Sequence, residues 1–228
     1  SFCIMNNGLQ PDKAFGAADE RAIERKRMVD TQIAARGVTD GRVLDALNRV
    51  PRHAFVPDYL SREAYTDRPL PIGHDQTISQ PYIVALMTEA ARIQPQDKIL
   101  EIGTGSGYQA AVLSLLARAV FSIEIIAQLA EGAAARLKKM GYDNVTVKCG
   151  DGYKGWPEEA PFDAIVVTAA PPSLPKELIR QLKPGGRLVV PVGTLFQDLV
   201  LLTKETDGTT HQECLIPVRF VPMVRESD

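Results

Sequence analysis

The chain's most constraining feature is an alternation of short apolar strands with helices between residues 98 and 192. Three glycines, Gly103, Gly105 and Gly107, stand at the first strand-to-helix switch. Strands are expected at 98–102, 120–124, 145–149, 162–169 (its buried part 163–167) and 187–192. Helices are expected from the glycine turn to 117, at 127–140 and at 175–182, with Gly185-Gly186 as a turn before the last strand. This βαβ grammar requires a mainly parallel sheet covered on both faces, because parallel neighbours need a crossover and the crossovers lie over the sheet. The 228 residues, 45% hydrophobic and 24% charged, suffice for one such domain. The tail changes pattern. Residues 199–203 and 213–218 flank Asp207-Gly208 and predict an antiparallel hairpin.

The part before residue 68 reads as helical. Asp19 is placed to cap a helix over 19–35 that stops at Gly37, with Glu24-Arg25-Lys26-Arg27 as a solvated face. Asp40 is placed to cap a second helix carrying Val43, Leu44 and Leu47 on one face, with Pro51 beyond its end. A Pro/Gly-rich loop is expected at 68–79. Pro81 then starts a third helix with Ile83, Leu86, Met87 and Ala90 on one face. The resulting division is a flexible segment at 1–18 and a single domain at 19–228. Within that domain, 19–95 form a helical addition and loop, and 96–228 form the sheet core.

Glu101-Ile102-Gly103-Thr104-Gly105-Ser106-Gly107 lies at that first switch. The glycines permit a tight turn and close approach of a ligand to the backbone. A dinucleotide phosphate loop needs G-x-G-x-x-G, with its third glycine at 108. Position 108 is Tyr108 and the third glycine is Gly107. The pattern, acidic-x-G-x-G-x-G, resembles the S-adenosyl-L-methionine loop of Rossmann-like methyltransferases. Glu124 ends the second strand, where a carboxylate can accept hydrogen bonds from both hydroxyls of a ribose. Asp151-Gly152 follows the third strand. In the resembling enzymes this acid faces the adenine amine and the glycine leaves room for the ring. The three points lie at successive strand ends on one side of the sheet, where doubly wound sheets bind ligands.

A further segment narrows the class. Residues 69–84, containing Thr77-Ile78-Ser79-Gln80-Pro81, look like the I-S-x-P hallmark of protein-L-isoaspartate O-methyltransferases of bacterial type. Residues 100–113, 150–153, 162–171, 182–187 and 218–222 are also similar to that family, and the resemblance covers residues 20–224. Asp75 departs from it, standing where bacterial relatives are expected to have glycine. The resemblance implies a doubly wound Rossmann-like α/β fold with a helical N-terminal addition, a C-terminal β-hairpin and an altered order of its last two strands. It implies methyl transfer from S-adenosyl-L-methionine, leaving S-adenosyl-L-homocysteine, to the free α-carboxylate of L-isoaspartyl residues in damaged proteins. It implies Ser79 as the active-centre residue. The cofactor set is then Glu101, Gly103, Thr104, Gly105, Ser106, Gly107, Glu124, Asp151 and Gly152. The substrate set is Thr77, Ile78, Ser79, Thr168 and Val218.

Composition removes several alternatives. The net charge is −2 and no basic stripe is present, which argues against a nucleic-acid partner. Cys3, Cys149 and Cys214 are far apart, and His53, His74 and His211 are scattered, so neither a disulfide framework nor a metal site is expected. The run Phe2-Cys3-Ile4-Met5 is too short for a signal segment, and no apolar run is long enough to span a membrane. A cytoplasmic monomer is expected. An amino-group methyltransferase would carry Asn/Asp-Pro-Pro-aromatic where this chain has Ala170-Pro171-Pro172-Ser173. A metal-dependent catechol enzyme would need an acidic cluster, and a dehydrogenase would need the phosphate loop. A non-catalytic binding module is opposed by the intact Ser79 segment. His53 and His74 are not expected to act as bases, and Trp156 and Phe162 are expected to pack.

Overall fold

The computed structural model describes residue 19 and residues 21–226; the expected 1–18 segment, with Cys3, lies outside them. The helical addition comprises α1 (Ala22–Met28) and α2 (Gly41–Arg49). After it come β1 (Leu70–Gly73), β2 (Gln76–Ile78) and α3 (Pro81–Ala90). The core follows as β3 (Lys98–Ile102), α4 (Tyr108–Ser114), β4 (Ala119–Glu124), α5 (Ala127–Lys139), β5 (Val145–Cys149), β6 (Phe162–Val167), α6 (Lys176–Gln181) and β7 (Leu182–Gly193). Finally, β8 (Gln197–Lys204) and β9 (Thr210–Val218) form the predicted hairpin.

Seven strands make one sheet in the order β5-β4-β3-β6-β7-β8-β9. The first five are parallel; β8 and β9 add antiparallel, in chain order, along the far edge. The order reverses between β3 and β6, which makes their carboxyl ends the topological switch point. Alternation along the strands sends Ile99, Ala164 and Val166 to one face, against the helical addition and α4. Leu100, Ile102, Ile165 and Val167 go to the other, with Leu178 and Met223. Among the described residues, no helix is long and apolar enough to cross a membrane.

The structure corrects several local expectations. Asp19 does not cap its helix: the cap position is Arg21, and the Asp19 carboxylate pairs with Arg25. Arg25 is therefore no part of a solvated face. It is buried and also reaches Tyr65 Oη at 3.2 Å. The helix over 19–35 opens after Met28 into a π turn, Val29–Ile33, and closes as a 3-10 turn, Ala34–Arg36, at Gly37 (φ 100°). Thr31 Oγ1 donates to the Arg27 carbonyl (2.7 Å) at this point, a side-chain bond that competes with the helical ladder. Asp40 does cap α2, accepting from Arg42 N. The expected loop at 68–79 is a small hairpin, β1 with β2, whose turn residues His74 and Asp75 have φ of 54° and 55°. A left-handed turn suits glycine, and aspartate is among the few side chains that tolerate it, so Asp75 keeps the turn.

Pro81 opens α3 as predicted, but the buried stripe is Pro81, Val84, Ala85 and Thr88 with Met87. Of the expected face, Ile83, Leu86 and Ala90 are half-buried. The helix is apolar on most sides, so periodicity alone misassigned its inner face. Helix α4 ends at Ser114, short of residue 117, where Leu115 and Leu116 close i→i+3 turns onto Val112 and Leu113. Strand β7 starts at Leu182. Gly185-Gly186 lie inside a bulge whose register jumps from Phe162↔Leu182 to Ala164↔Arg187. A Cβ on Gly186 would come within 2.8 Å of the Asp163 and Lys183 carbonyls, so the bulge needs that glycine.

Candidate active site

A cleft of about 990 Å³ opens at the carboxyl ends of β3, β4 and β6. Gly103 and Gly105 form its floor at the switch point, with Ile102 and Ile123 beside them. Glu124, Ile125 and Ile126 line one wall. The hairpin end with Thr77, Ser79 and Gln80 covers one side, and residues 217–224 cover the other. Ser79, Thr77, Thr168, Val218, Gly103, Gly105, Glu124 and Gly152, distant in sequence, thus share one cavity.

The floor is built by close approach. The Thr168 hydroxyl bridges the carbonyls of Ile102 (3.0 Å) and Gly103 (2.7 Å), tying β6 to the end of β3. A Cβ on Gly103, where φ is 92°, would sit 2.4 Å from that hydroxyl oxygen, so only glycine fits. A Cβ on Gly152 would lie 2.3 Å from Ile102 Cγ2, which keeps the apolar slot beside Ile102 and Met223 open. Glu124 is nearly buried. One carboxylate oxygen accepts from Gly105 N (2.8 Å) and the other from Ile126 N (3.1 Å), so this side chain holds two loops.

The remaining predicted residues do not line the cleft. Thr104 is buried beneath the loop, 2.5 Å from Ser122 Oγ. Gly107 (φ 94°) is the N-cap of α4 and packs on Leu137. Ser106 turns to a smaller pocket of about 160 Å³, its carbonyl accepting from Arg136 (2.8 Å). Ile78 is in the core. Asp151 is buried and caps a short 3-10 turn, accepting from Tyr153 N at 2.8 Å; its neighbour Gly152 reaches the cleft.

Glu101 is fully buried behind the floor. Its Oε1 accepts from Ser122 Oγ, while Oε2 has no partner. Burial pushes its pKa up to about 8; the Ser122 bond opposes this and the Glu124 charge adds to it. Unfolded, the group titrates near 4.5; folded, near 8. Its contribution is complete below the lower value and is lost as pH rises through the upper one. Ligand-free Glu101→Gln is expected to remove this loss, which amounts to roughly 1.4 kcal/mol per pH unit at its steepest. The difference in melting temperature between variant and parent should widen from pH 5 to 8.5. A constant difference would contradict a neutral Glu101.

Two arginines escaped the sequence reading. Arg219 is exposed and is the only cation among the described residues lining the cleft, against Asp75 and Glu124. Arg52 is completely buried and hydrogen-bonds the Ser79 carbonyl at 2.9 Å. Neither His53 nor His74 lines the cleft. His53 pairs with Tyr65 Oη (2.8 Å), and burial together with Arg21 and Arg25 holds its pKa below the usual value. His74 is exposed at the hairpin turn. Trp156 and Phe162 pack edge-on and tilted against Phe121, as expected. Among the described residues no group of three or more His, Cys, Asp or Glu is placed to hold a metal.

Fold and site together define a Rossmann-like α/β protein whose switch-point cleft has a glycine floor, a carboxylate wall and room for a nucleoside. Within that class, the chain belongs to the protein-L-isoaspartate(D-aspartate) O-methyltransferase family, whose model matches residues 23–228. It is 58% identical over 214 residues to the protein-L-isoaspartate O-methyltransferase of Opitutus terrae, covering 92% of this chain and 91% of that one. It is 55% identical over 215 residues to the Picosynechococcus sp. enzyme of the same name, covering 94% and 96%. A solved protein-L-isoaspartate O-methyltransferase superposes with a TM-score of 0.79 at 31% identity, over 87% of this chain and 65% of that longer one. The fold is shared too with a Plasmodium falciparum structure of this kind in complex with S-adenosyl-L-homocysteine (TM-score 0.77, 24% identity, 89% of this chain and 99% of that one).

Proposed function

We infer that this chain transfers the methyl group of S-adenosyl-L-methionine to the free α-carboxylate of L-isoaspartyl residues in damaged proteins, the first step of their repair. The observation that carries this reading is the single cleft that brings the Ser79 loop to the glycine floor and Glu124. The residues fit the cofactor. Gly103 and Gly105 leave backbone open to a ligand, Glu124 offers carboxylate lone pairs to a ribose, and Gly152 with Ile102 and Ile123 frames an apolar slot for the base. Among the described residues, two acids and one arginine line the cleft, a balance that favours a cationic sulfonium over a pyrophosphate. Buried Glu101, Thr104 and Asp151 support these contacts from behind, as do Ser106 and Gly107 from the same loop.

When bound, S-adenosyl-L-methionine supplies an electrophilic methyl group and leaves as S-adenosyl-L-homocysteine. The acceptor is a carboxylate, already ionised at neutral pH, so no residue has to remove a proton. The work of the protein is orientation and exclusion of water. The Ser79 hydroxyl, free of any role in capping α3, donates to one acceptor oxygen while the other attacks. Thr77, Thr168 and Val218 shape the acceptor side, with Ile78 anchoring the hairpin beneath, and Arg219 attracts the carboxylate to the cleft. Among the described residues Cys149 and Cys214 are exposed and free, which suits a reducing cytoplasm, and the reading is of a monomer acting without nucleic acid or membrane.

Labelled methyl transfer to an isoaspartyl peptide, followed from pH 5 to 9, tests the mechanism. The rate should already be near its plateau by pH 6, because the acceptor ionises near 4. A limb at pH 6.5 would show a histidine base and overturn the base-free scheme.

A further inference from the structure

We propose that Arg52 is a positioning residue for methyl transfer, fixing the backbone of Ser79 relative to the cofactor loop. The proposal rests on the reading of Ser79 as the acceptor-orienting hydroxyl. Arg52 follows Pro51 at the start of a 3-10 turn, Arg52–Phe55, and its side chain has no exposed surface. Its Nε donates to the Ala64 carbonyl (2.7 Å) and its Nη2 to the Ser79 carbonyl (2.9 Å). The guanidinium carbon lies 4.9 Å from the centre of the Tyr108 ring. Tyr108 is itself buried, is the first residue of α4 and directly follows Gly107 of the glycine loop. One rigid group thus spans the hairpin end and the helix that carries the cofactor loop.

The ion is costly where it stands. Among the described residues no carboxylate pairs with Arg52, so neutral carbonyls and a ring face are its compensation. An apolar side chain of similar length would remove no charge from water, but it would leave the Ala64 and Ser79 carbonyls without these donors, so what the arginine supplies is the two tethers and not the filling of space. The tether at Ser79 bears directly on the site. The next residue, Gln80, is held extended (φ −50°, ψ 139°) before Pro81. With the Ser79 carbonyl tethered on the other side, the backbone that places Ser79 in the cleft wall has little freedom. A planar fork with several donors supplies this tether; a lysine ammonium cannot reproduce both bonds and the ring contact.

The test is a double-mutant cycle on the full chain with an isoaspartyl peptide. Arg52→Met is expected to fold but to melt below the parent, because two carbonyls lose their donor, to bind S-adenosyl-L-homocysteine within about twofold of the parent, and to lose about ten- to a hundredfold in kcat. Arg52→Lys should recover little of that loss. In a Ser79→Ala background, Arg52→Met should cost almost nothing more, because the group it positions is gone. Multiplicative losses, full turnover by Arg52→Met, or failure of Arg52→Met to fold would each overturn the proposal. Full turnover by Ser79→Ala alone would refute the Ser79 reading instead, and is seen in a separate arm of the cycle.

Discussion

Replacing Glu124 with alanine is expected to weaken S-adenosyl-L-homocysteine binding about a hundredfold, the largest effect of any single change at the cofactor side. The side chain has two tasks. It is the carboxylate assigned to the ribose hydroxyls, and it also accepts from Gly105 N and Ile126 N. A hydrogen bond to a charged acceptor contributes about 1.5–3 kcal/mol, so losing the ribose contacts and loosening two loops should cost ~3 kcal/mol. Glu124→Gln keeps one oxygen acceptor but turns an amide toward one of the two N–H donors, and should fall between. Turnover at saturating cofactor should change much less than affinity, since Glu124 is not assigned to the acceptor. Titration calorimetry on folded variants measures this directly. Unchanged affinity in Glu124→Ala would remove the ribose role.

Ser79→Ala should leave cofactor affinity intact and lower single-turnover methyl transfer by about ten- to a hundredfold, equivalent to ~1.5–3 kcal/mol of one oriented donor to a carboxylate. Ser79→Thr keeps the hydroxyl and adds a methyl group, so partial activity is expected. The structure sharpens this prediction. Serine before a proline-started helix is a common cap, and loss of a cap would cost about 1 kcal/mol of stability. Here the cap position is Gln80 and no side chain caps α3. The alanine variant should therefore melt close to the parent while turning over slowly. A large fall in melting temperature with normal turnover would reverse the assignment.

The features legible in the sequence are those set by short-range rules. Glycines at positive φ, strand-end acids and the helix cap at Asp40 depend on neighbours a few positions away. β3, β5 and the start of α5 fall at the expected residues. What escaped depends on distant partners. Arg52 has its meaning from Ala64, Ser79 and Tyr108, none of them near it in the chain. Arg25 looked solvated in a charged run until Asp19 and Tyr65 closed around it. The inner face of α3 was invisible because both sides are apolar, and Gly185-Gly186 read as a turn because the bulge that needs them forms only against β6. At the site, cleft-lining glycines were separable from supporting ones only once Leu137 was seen packed on Gly107 and Thr168 on Gly103.

The central claim is that the Ser79 side of the cleft presents a carboxylate to a methyl donor held on the glycine floor, and that this carboxylate belongs to an isoaspartyl residue. The most direct measurement is labelled-methyl transfer from S-adenosyl-L-methionine to two peptides identical except for one isoaspartyl or one ordinary aspartyl residue. The isoaspartyl peptide differs by a free α-carboxylate and one additional backbone methylene. The account predicts saturable transfer to the isoaspartyl peptide, with release of the label as methanol in base, and transfer to its aspartyl twin at background. Equal labelling of both peptides, or labelling of neither by enzyme that binds the cofactor, would contradict it.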